Sequence, residues 1–167
     1  MEPRIEVIPA KKLVGVGATM SLAEDSTPRL WRSLMPRRGE IADRATSSYI
    51  SMRVYGKPGM AVEEMFAPDT VFEKWAAVEV SSYDSVPEGL ARHALTGGMY
   101  AVFVHEGPAS SFPLTMRRIF GDWLPASDYE LDDREHFEVV PEGWKADDPG
   151  AREEIWVPVR PATRLCL

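Results

Sequence analysis

Cysteine is nearly absent: Cys166 is the only one in 167 residues. No internal disulfide can form, and a lone thiol beside the C-terminal residue, with no base near it in sequence, reads as incidental rather than nucleophilic. Histidine is scarce. His93, His105 and His136 show no ligand spacing with one another, so no metal is expected, and His105, at the end of a strand, reads as structural. No apolar run approaches the roughly 18–20 residues of a membrane-spanning helix. The opening Met1-Glu2-Pro3-Arg4-Ile5-Glu6 lacks the basic-then-apolar layout of a secretory signal, so a cytoplasmic protein with no membrane partner is expected. Basic charge is in deficit, with 19 Lys and Arg against 26 Asp and Glu and a net charge of −7. That balance argues against direct nucleic-acid binding, which needs a basic surface. It modestly favours cationic small molecules. Arg29, Arg32, Arg37 and Arg38 surround a short predicted helix and read as its solvated face. Gly15 and Gly17 are not followed by the glycine or lysine that a phosphate loop requires. They mark a bulge or a close backbone approach instead.

What is present is globular: 44% hydrophobic and 27% charged residues, enough for one domain with its own core over 1–167. Residues 5–20 read as a strand region interrupted at Pro9-Ala10-Lys11-Lys12. Thr27-Pro28 opens a helix, with Thr27 as N-cap and Pro28 in the first turn, and Leu30, Trp31, Leu34 and Met35 share one face. Residues 48–55 alternate as a strand, with Tyr49, Ser51, Arg53 and Tyr55 on one side and Ile50, Met52 and Val54 on the other. Residues 71–80 form another.

The order then repeats. A strong strand covers 99–105, and Ser111-Phe112-Pro113 starts a second helix carrying Met116, Ile119, Phe120 and Trp123 on one face. Pro125 ends that helix. Strands over 137–140 and 155–159 close the chain. The expectation is an α+β fold of two duplicated β-α-β-β units, about 1–90 and 91–167. They would form a curved, mostly antiparallel sheet with two helices on one face and a ligand cleft between the halves.

One carboxylate stands out. Glu138 lies within His136-Phe137-Glu138-Val139-Val140, a run with strand character, between the aromatic segments Trp123-Leu124-Pro125 and Ile155-Trp156-Val157. Such a group either faces water or is buried at a cost. Buried without a fixed partner, it favours a cation from outside. The acidic run Asp128, Glu130, Asp132, Asp133, Glu135 lacks the central glycine and final glutamate of a calcium loop and reads as solvated.

Four segments together resemble a known family. They are Met99-Tyr100-Ala101-Val102-Phe103-Val104-His105-Glu106-Gly107-Pro108, then Trp123-Leu124-Pro125-Ala126-Ser127-Asp128-Tyr129, then Phe137-Glu138, and Glu153-Glu154-Ile155-Trp156-Val157-Pro158-Val159. They are similar, in order, to the GyrI-like small-molecule-binding domains, which also serve as effector-binding domains of AraC-type and MerR-type regulators. The N-terminal half matches only in element order and in Ile5-Glu6-Val7-Ile8-Pro9. The resemblance implies a cleft in which an acidic residue pairs with lipophilic cations among aromatic side chains. By position the acid is Glu138, and the ring candidates are Trp123, Trp75, Trp156, Tyr49, Tyr100 and Phe103. No helix-turn-helix segment precedes the domain, so a stand-alone member is implied.

Three functions follow from the resemblance. The first is a module that captures a hydrophobic, cationic small molecule, for sequestration or sensing, with no cofactor. The second is a hydrolase of strained cyclopropane-bearing natural products, with Glu138 activating water beside Tyr100 or Tyr49. The third is an inhibitor of a protein partner such as DNA gyrase.

Overall fold

The computed structural model describes residues 1–163; Cys166 lies outside the described residues. Among the described residues there are nine strands and three main helical segments, besides shorter helical turns. The first half holds β1 (Arg4–Ile8), β2 (Lys11–Met20), α1 (Thr27–Leu34), β3 (Tyr49–Val54), the single-turn α2 (Val62–Met65) and β4 (Phe72–Val80). The second holds β5 (Ala91–Leu95), β6 (Gly98–Glu106), α3 (Phe112–Arg117), β7 (Tyr129–Leu131), β8 (His136–Val140) and β9 (Arg152–Pro161). Every pairing is antiparallel.

The sheet runs β1-β6-β9-β8-β3-β4-β2-β5, with β7 added along β9. β3 and β8 meet at its centre, flanked by β4 and β9, then β2 and β6. At the rims, β1 pairs with β6 and β5 with β2. Each half therefore contributes its first strand to the other half's edge. β5 and β7 and the short α2 have no strong periodic signal. β5, Ala-Arg-His-Ala-Leu, buries only Leu95 fully, so its pairing partner rather than its pattern makes it a strand.

Both main helices lie on one face. Leu30 and Leu34 of α1 pack with Val14, Val78 and Tyr49. Ile119 and Phe120, beyond α3, pack with Ala101, Phe103, Ile155 and Val157. Ser26 holds the N-cap position of α1 without a side-chain cap, and the Thr27 N–H is held instead by Asp25 Oδ1 at 2.9 Å. α3 continues through a π-helical turn, Arg118–Trp123, and a last α turn, Leu124–Ala126. Pro125 thus sits inside the final turn rather than ending the helix. The widened turn lies just before this residue, which has no N–H for the helical ladder.

The opposite face curves onto itself. Leu13, Met52, Trp75, Tyr100, Phe137 and Trp156, from six different strands, share one buried cluster. Gly17 is part of this packing: a Cβ there would sit 2.6 Å from the Trp75 indole, so only glycine lets that ring lie flat on β2.

Candidate functional site: a buried carboxylate beneath an apolar cleft

Side chains alternate across a strand, so register alone sorts the candidate residues between the two faces. Glu138 pairs with Ser51 on β3 and Ile155 on β9. It therefore shares the helix-bearing face with Phe103, Ile155 and Tyr49. Phe137 pairs with Trp156 and Met52 and points the other way. Trp75 pairs with Met52 as well and follows it.

Of the expected ring candidates, Trp75, Trp156 and Tyr100 belong to the opposite-face cluster. Tyr100 stands 5.2 Å from Phe137 and 5.8 Å from Trp156, ring to ring. Its hydroxyl donates to the Glu135 carbonyl at 3.0 Å. Trp156 stacks on Phe137 at 5.2 Å, and its Nε1–H donates to Glu154 Oε2 at 3.0 Å. Trp75 packs 5.5 Å from His93 and donates to Glu73. Trp75 and Tyr100 line no part of the recess around Glu138, whereas Trp156 borders it while its indole stacks on Phe137. Phe103 is buried beneath Trp123, 5.1 Å away, and Trp123 stacks on Tyr129 at 6.1 Å. Tyr49 lies under Trp31 of α1 at 6.1 Å, with the Arg44 guanidinium 4.9 Å from its ring centroid.

His105 is satisfied locally: its Nδ1 lies 2.7 Å from Thr115 Oγ1 and its Nε2 3.4 Å from the Pro108 carbonyl. Among the described residues, no group of three or more His, Cys, Asp or Glu could hold a metal ion. No helix among them is long and apolar enough to cross a membrane.

Most of the residues around Glu138 are not the expected ring candidates. A small recess is bordered by Arg53, Tyr55, Phe66, Met116, Phe120, His136, Phe137 and Glu138, with Ile155, Trp156 and Val157 of β9. Of these, Arg53, Phe66, Met116 and Phe120 also line a cleft of about 1050 Å³. Val62 and Phe66 bring one wall of that cleft from around α2, and Phe112, Met116, Phe120 and Leu124 bring the other from the α3 segment. It is therefore built from both halves of the chain. Phe66 and Phe120 meet edge to face at 5.0 Å and line both the cleft and the recess.

Glu138 is 7% exposed, and its Oε2 is buried without a hydrogen-bond partner among the described residues. A buried, unpaired carboxylate oxygen costs free energy that a well-placed cation or donor restores. Other charged groups crowd the same face. Lys74, 4% exposed on β4, is pushed down to about 8, chiefly by burial, while Glu138 acts to hold its proton on. Glu153 on β9 is pushed up to about 7 by burial and then by the charge of Glu138. His136 is driven down to about 3 by burial and by Arg53 and Arg134, so it is neutral near pH 7. Tyr55 is raised, first by burial.

One signal for this cluster was present in the sequence. In Phe72-Glu73-Lys74-Trp75-Ala76, Lys74 occupies the phase of Phe72 and Ala76, a buried phase, rather than that of a solvated edge.

A single curved antiparallel sheet, two helices on one face and an apolar cleft that shares residues with a recess holding a buried carboxylate define an α+β domain of the ligand-binding kind. The chain belongs to the GyrI-like family, described as a GyrI-like small molecule binding domain, whose model matches residues 1–160. It is 27% identical over 162 residues to the transcriptional regulator BrlR of Pseudomonas aeruginosa, matching 95% of this chain. The chain spans about half, 56%, of that regulator's length. A bacterial transcription regulation protein from Staphylococcus aureus MU50 shares the fold at a TM-score of 0.68 and 14% identity, over 96% of this chain and 99% of that one. SAV2435 bound to tetraphenylphosphonium matches at a TM-score of 0.65 and 17% identity, over 96% and 94% of the two chains.

Proposed function

We propose that the domain captures a hydrophobic organic cation, with its apolar body in the α2–α3 cleft and its charge turned toward Glu138. The observation that carries this reading is the unpartnered Glu138 Oε2 in a small recess that shares Arg53, Phe66, Met116 and Phe120 with a largely apolar cleft. Phe66 and Phe120 offer ring faces and edges near that charge, each good cation–π contact contributing about 0.5–2 kcal/mol. The carboxylate contributes most once the ligand excludes water. The fold relative bound to tetraphenylphosphonium supports the same chemistry. Trp75, Trp156 and Tyr100 support the fold of the site rather than contact the ligand. Trp123, Phe103 and Tyr49 back its walls.

Calorimetric titration with tetraphenylphosphonium tests the reading. Saturable binding by the wild type and a loss of at least tenfold in affinity in Glu138→Gln are expected. Equal affinity of the two proteins removes the carboxylate from the role.

A second reading rests on Tyr55, which borders the same recess as Glu138. A carboxylate and a phenol side by side suit water activation and substrate positioning in hydrolysis of a strained ring. Here Tyr55 replaces Tyr100 and Tyr49 as the phenol of that mechanism. Mass spectrometry of a cyclopropane-bearing alkylating compound after incubation decides it. A water adduct that Glu138→Gln fails to form supports hydrolysis, and unchanged compound supports capture alone.

A further inference from the structure

The apolar cleft accounts for the body of a ligand, but not for the positive charge already placed around Glu138. Lys74 and Arg53 face each other directly across β3 and β4, an arrangement of like charges that costs stability. Both project onto the helix-bearing face, as Glu138 does. Lys74 and Glu138 lie diagonally across β3. Ser51 stands opposite Glu138 and Ala76 opposite Ser51, while Arg53 stands between Lys74 and His136. The small Ser51 leaves room for a long lysine and a glutamate to lean toward each other on that diagonal, beside Arg53.

Glu138 is the strongest of the charges that favour the ammonium form of Lys74, with Asp25 and Glu153 adding to it and Arg53 opposing. Yet the ion pairs within 4.0 Å among the described residues include neither Lys74 nor Glu138. The two charges feel one another across the sheet without closing into a bond, which leaves the buried Glu138 Oε2 without a partner.

We propose that Lys74 is a specificity-determining residue: an internal cation that competes with the ligand for the field of Glu138. The inference rests on the reading of Glu138 as the ligand's anchor. Its consequence is a threshold. A monocation arriving beside Glu138 meets a carboxylate already partly neutralised, in a place with little water to screen the surplus positive charge. A small, strongly hydrated ammonium ion has nothing to offset its own desolvation there. A cation wrapped in aromatic surface gains burial in the cleft that outweighs the repulsion. The site thus selects lipophilic cations by raising the cost for all cations, a repulsive route to discrimination.

The test is calorimetry with tetraphenylphosphonium, tetramethylammonium and neutral triphenylphosphine oxide on the wild type, Lys74→Met, Lys74→Gln and Lys74→Met combined with Glu138→Gln. Removal of the ammonium is expected to tighten tetraphenylphosphonium about tenfold, equivalent to about 1.4 kcal/mol, and to make tetramethylammonium binding measurable. The neutral compound should change less than about twofold, and the gain should vanish when Glu138 is replaced. Unchanged or weaker tetraphenylphosphonium binding in the Lys74 variants overturns the proposal. So does an equal gain for the neutral compound, or a gain that survives Glu138→Gln. If neither the wild type nor any Lys74 variant binds tetraphenylphosphonium, the anchor reading falls and this one with it.

Should both Lys74 variants fail to fold, the pH dependence of binding replaces them. It is measured in Glu153→Gln, because Glu153 also titrates near the same window. The other groups around the site are Arg53, Tyr55, His136 and Asp25. Tetraphenylphosphonium affinity should rise several-fold between pH 7 and 9 as Lys74 loses its proton. A flat profile overturns the proposal.

Discussion

Trp156 and Glu138 stand on neighbouring strands yet leave the sheet on opposite faces, because Trp156 is registered with Phe137 and Glu138 with Ile155. The Trp156 indole therefore stacks on Phe137, although the residue also borders the small recess around Glu138. Trp156→Leu should lower stability by about 2–4 kcal/mol through lost packing on Phe137 and Tyr100. Tetraphenylphosphonium affinity should change less than about twofold. Urea denaturation and calorimetry on one sample read both effects, and a large affinity loss without a stability loss would place the ring in the site.

Glu153 gives stability a pH dependence of unusual sign for an acid. Its folded value, about 7, lies above the ordinary 4.5, so between those values the folded chain holds more protons than the unfolded one. Its contribution is complete below pH 4.5 and is lost as pH rises through 7, by about 1–3 kcal/mol after allowance for screening at a partly open site. Glu153→Gln should therefore gain stability relative to the wild type between pH 5 and pH 8. Urea midpoints for the two proteins across that range measure it. Parallel curves would show that Glu153 is not burdened by burial and Glu138.

His136 acts in the other direction. Its value of about 3 lies well below the ordinary 6.5, so the unfolded chain takes up a proton first as pH falls. Stability is retained above pH 6.5 and lost progressively toward pH 3. The ring sits 5.4 Å from Tyr55 and 6.3 Å from Phe120, where a charged imidazolium is poorly solvated. Replacing it with Gln should flatten the fall in urea midpoint between pH 6.5 and 4.5 relative to the wild type. An unaltered slope would assign acid sensitivity elsewhere.

Gly17→Ala tests the opposite face. The added methyl meets the Trp75 indole at 2.6 Å, and overpacking of this kind costs about 1–3 kcal/mol. Because Trp75 faces away from Glu138, ligand affinity should hold within about twofold while the melting temperature drops. An affinity loss at unchanged melting temperature would tie this packing to the cleft.

The α+β order, most strand positions and the shared face of the two helices were legible because each depends on periodicity and on Pro or Gly punctuation. The alternation of Tyr49, Ser51 and Arg53 against Ile50, Met52 and Val54 gave the strand and its two sides. It did not say which side the helices cover. β5 escaped notice because its identity comes from pairing with β2, half a chain away in pattern and on the far rim of the sheet. Family position points to Trp75, Trp156 and Tyr100 as companions of Glu138, but register turns all three side chains to the opposite face, with Trp156 alone also bordering the recess around Glu138.

By itself, then, the sequence determined that a carboxylate at Glu138 sits in an apolar strand and that aromatic rings are plentiful nearby. The buried position of Lys74 was not read from it. Only the tertiary structure decided which of these groups meet. Facing is set by which strands pair and in what register, and a slip of one residue moves every side chain to the other face. That long-range pairing of β3, β4, β8 and β9 brings Glu138, Lys74, Arg53 and Glu153 onto one surface and sends the tryptophans of β4 and β9 to the other.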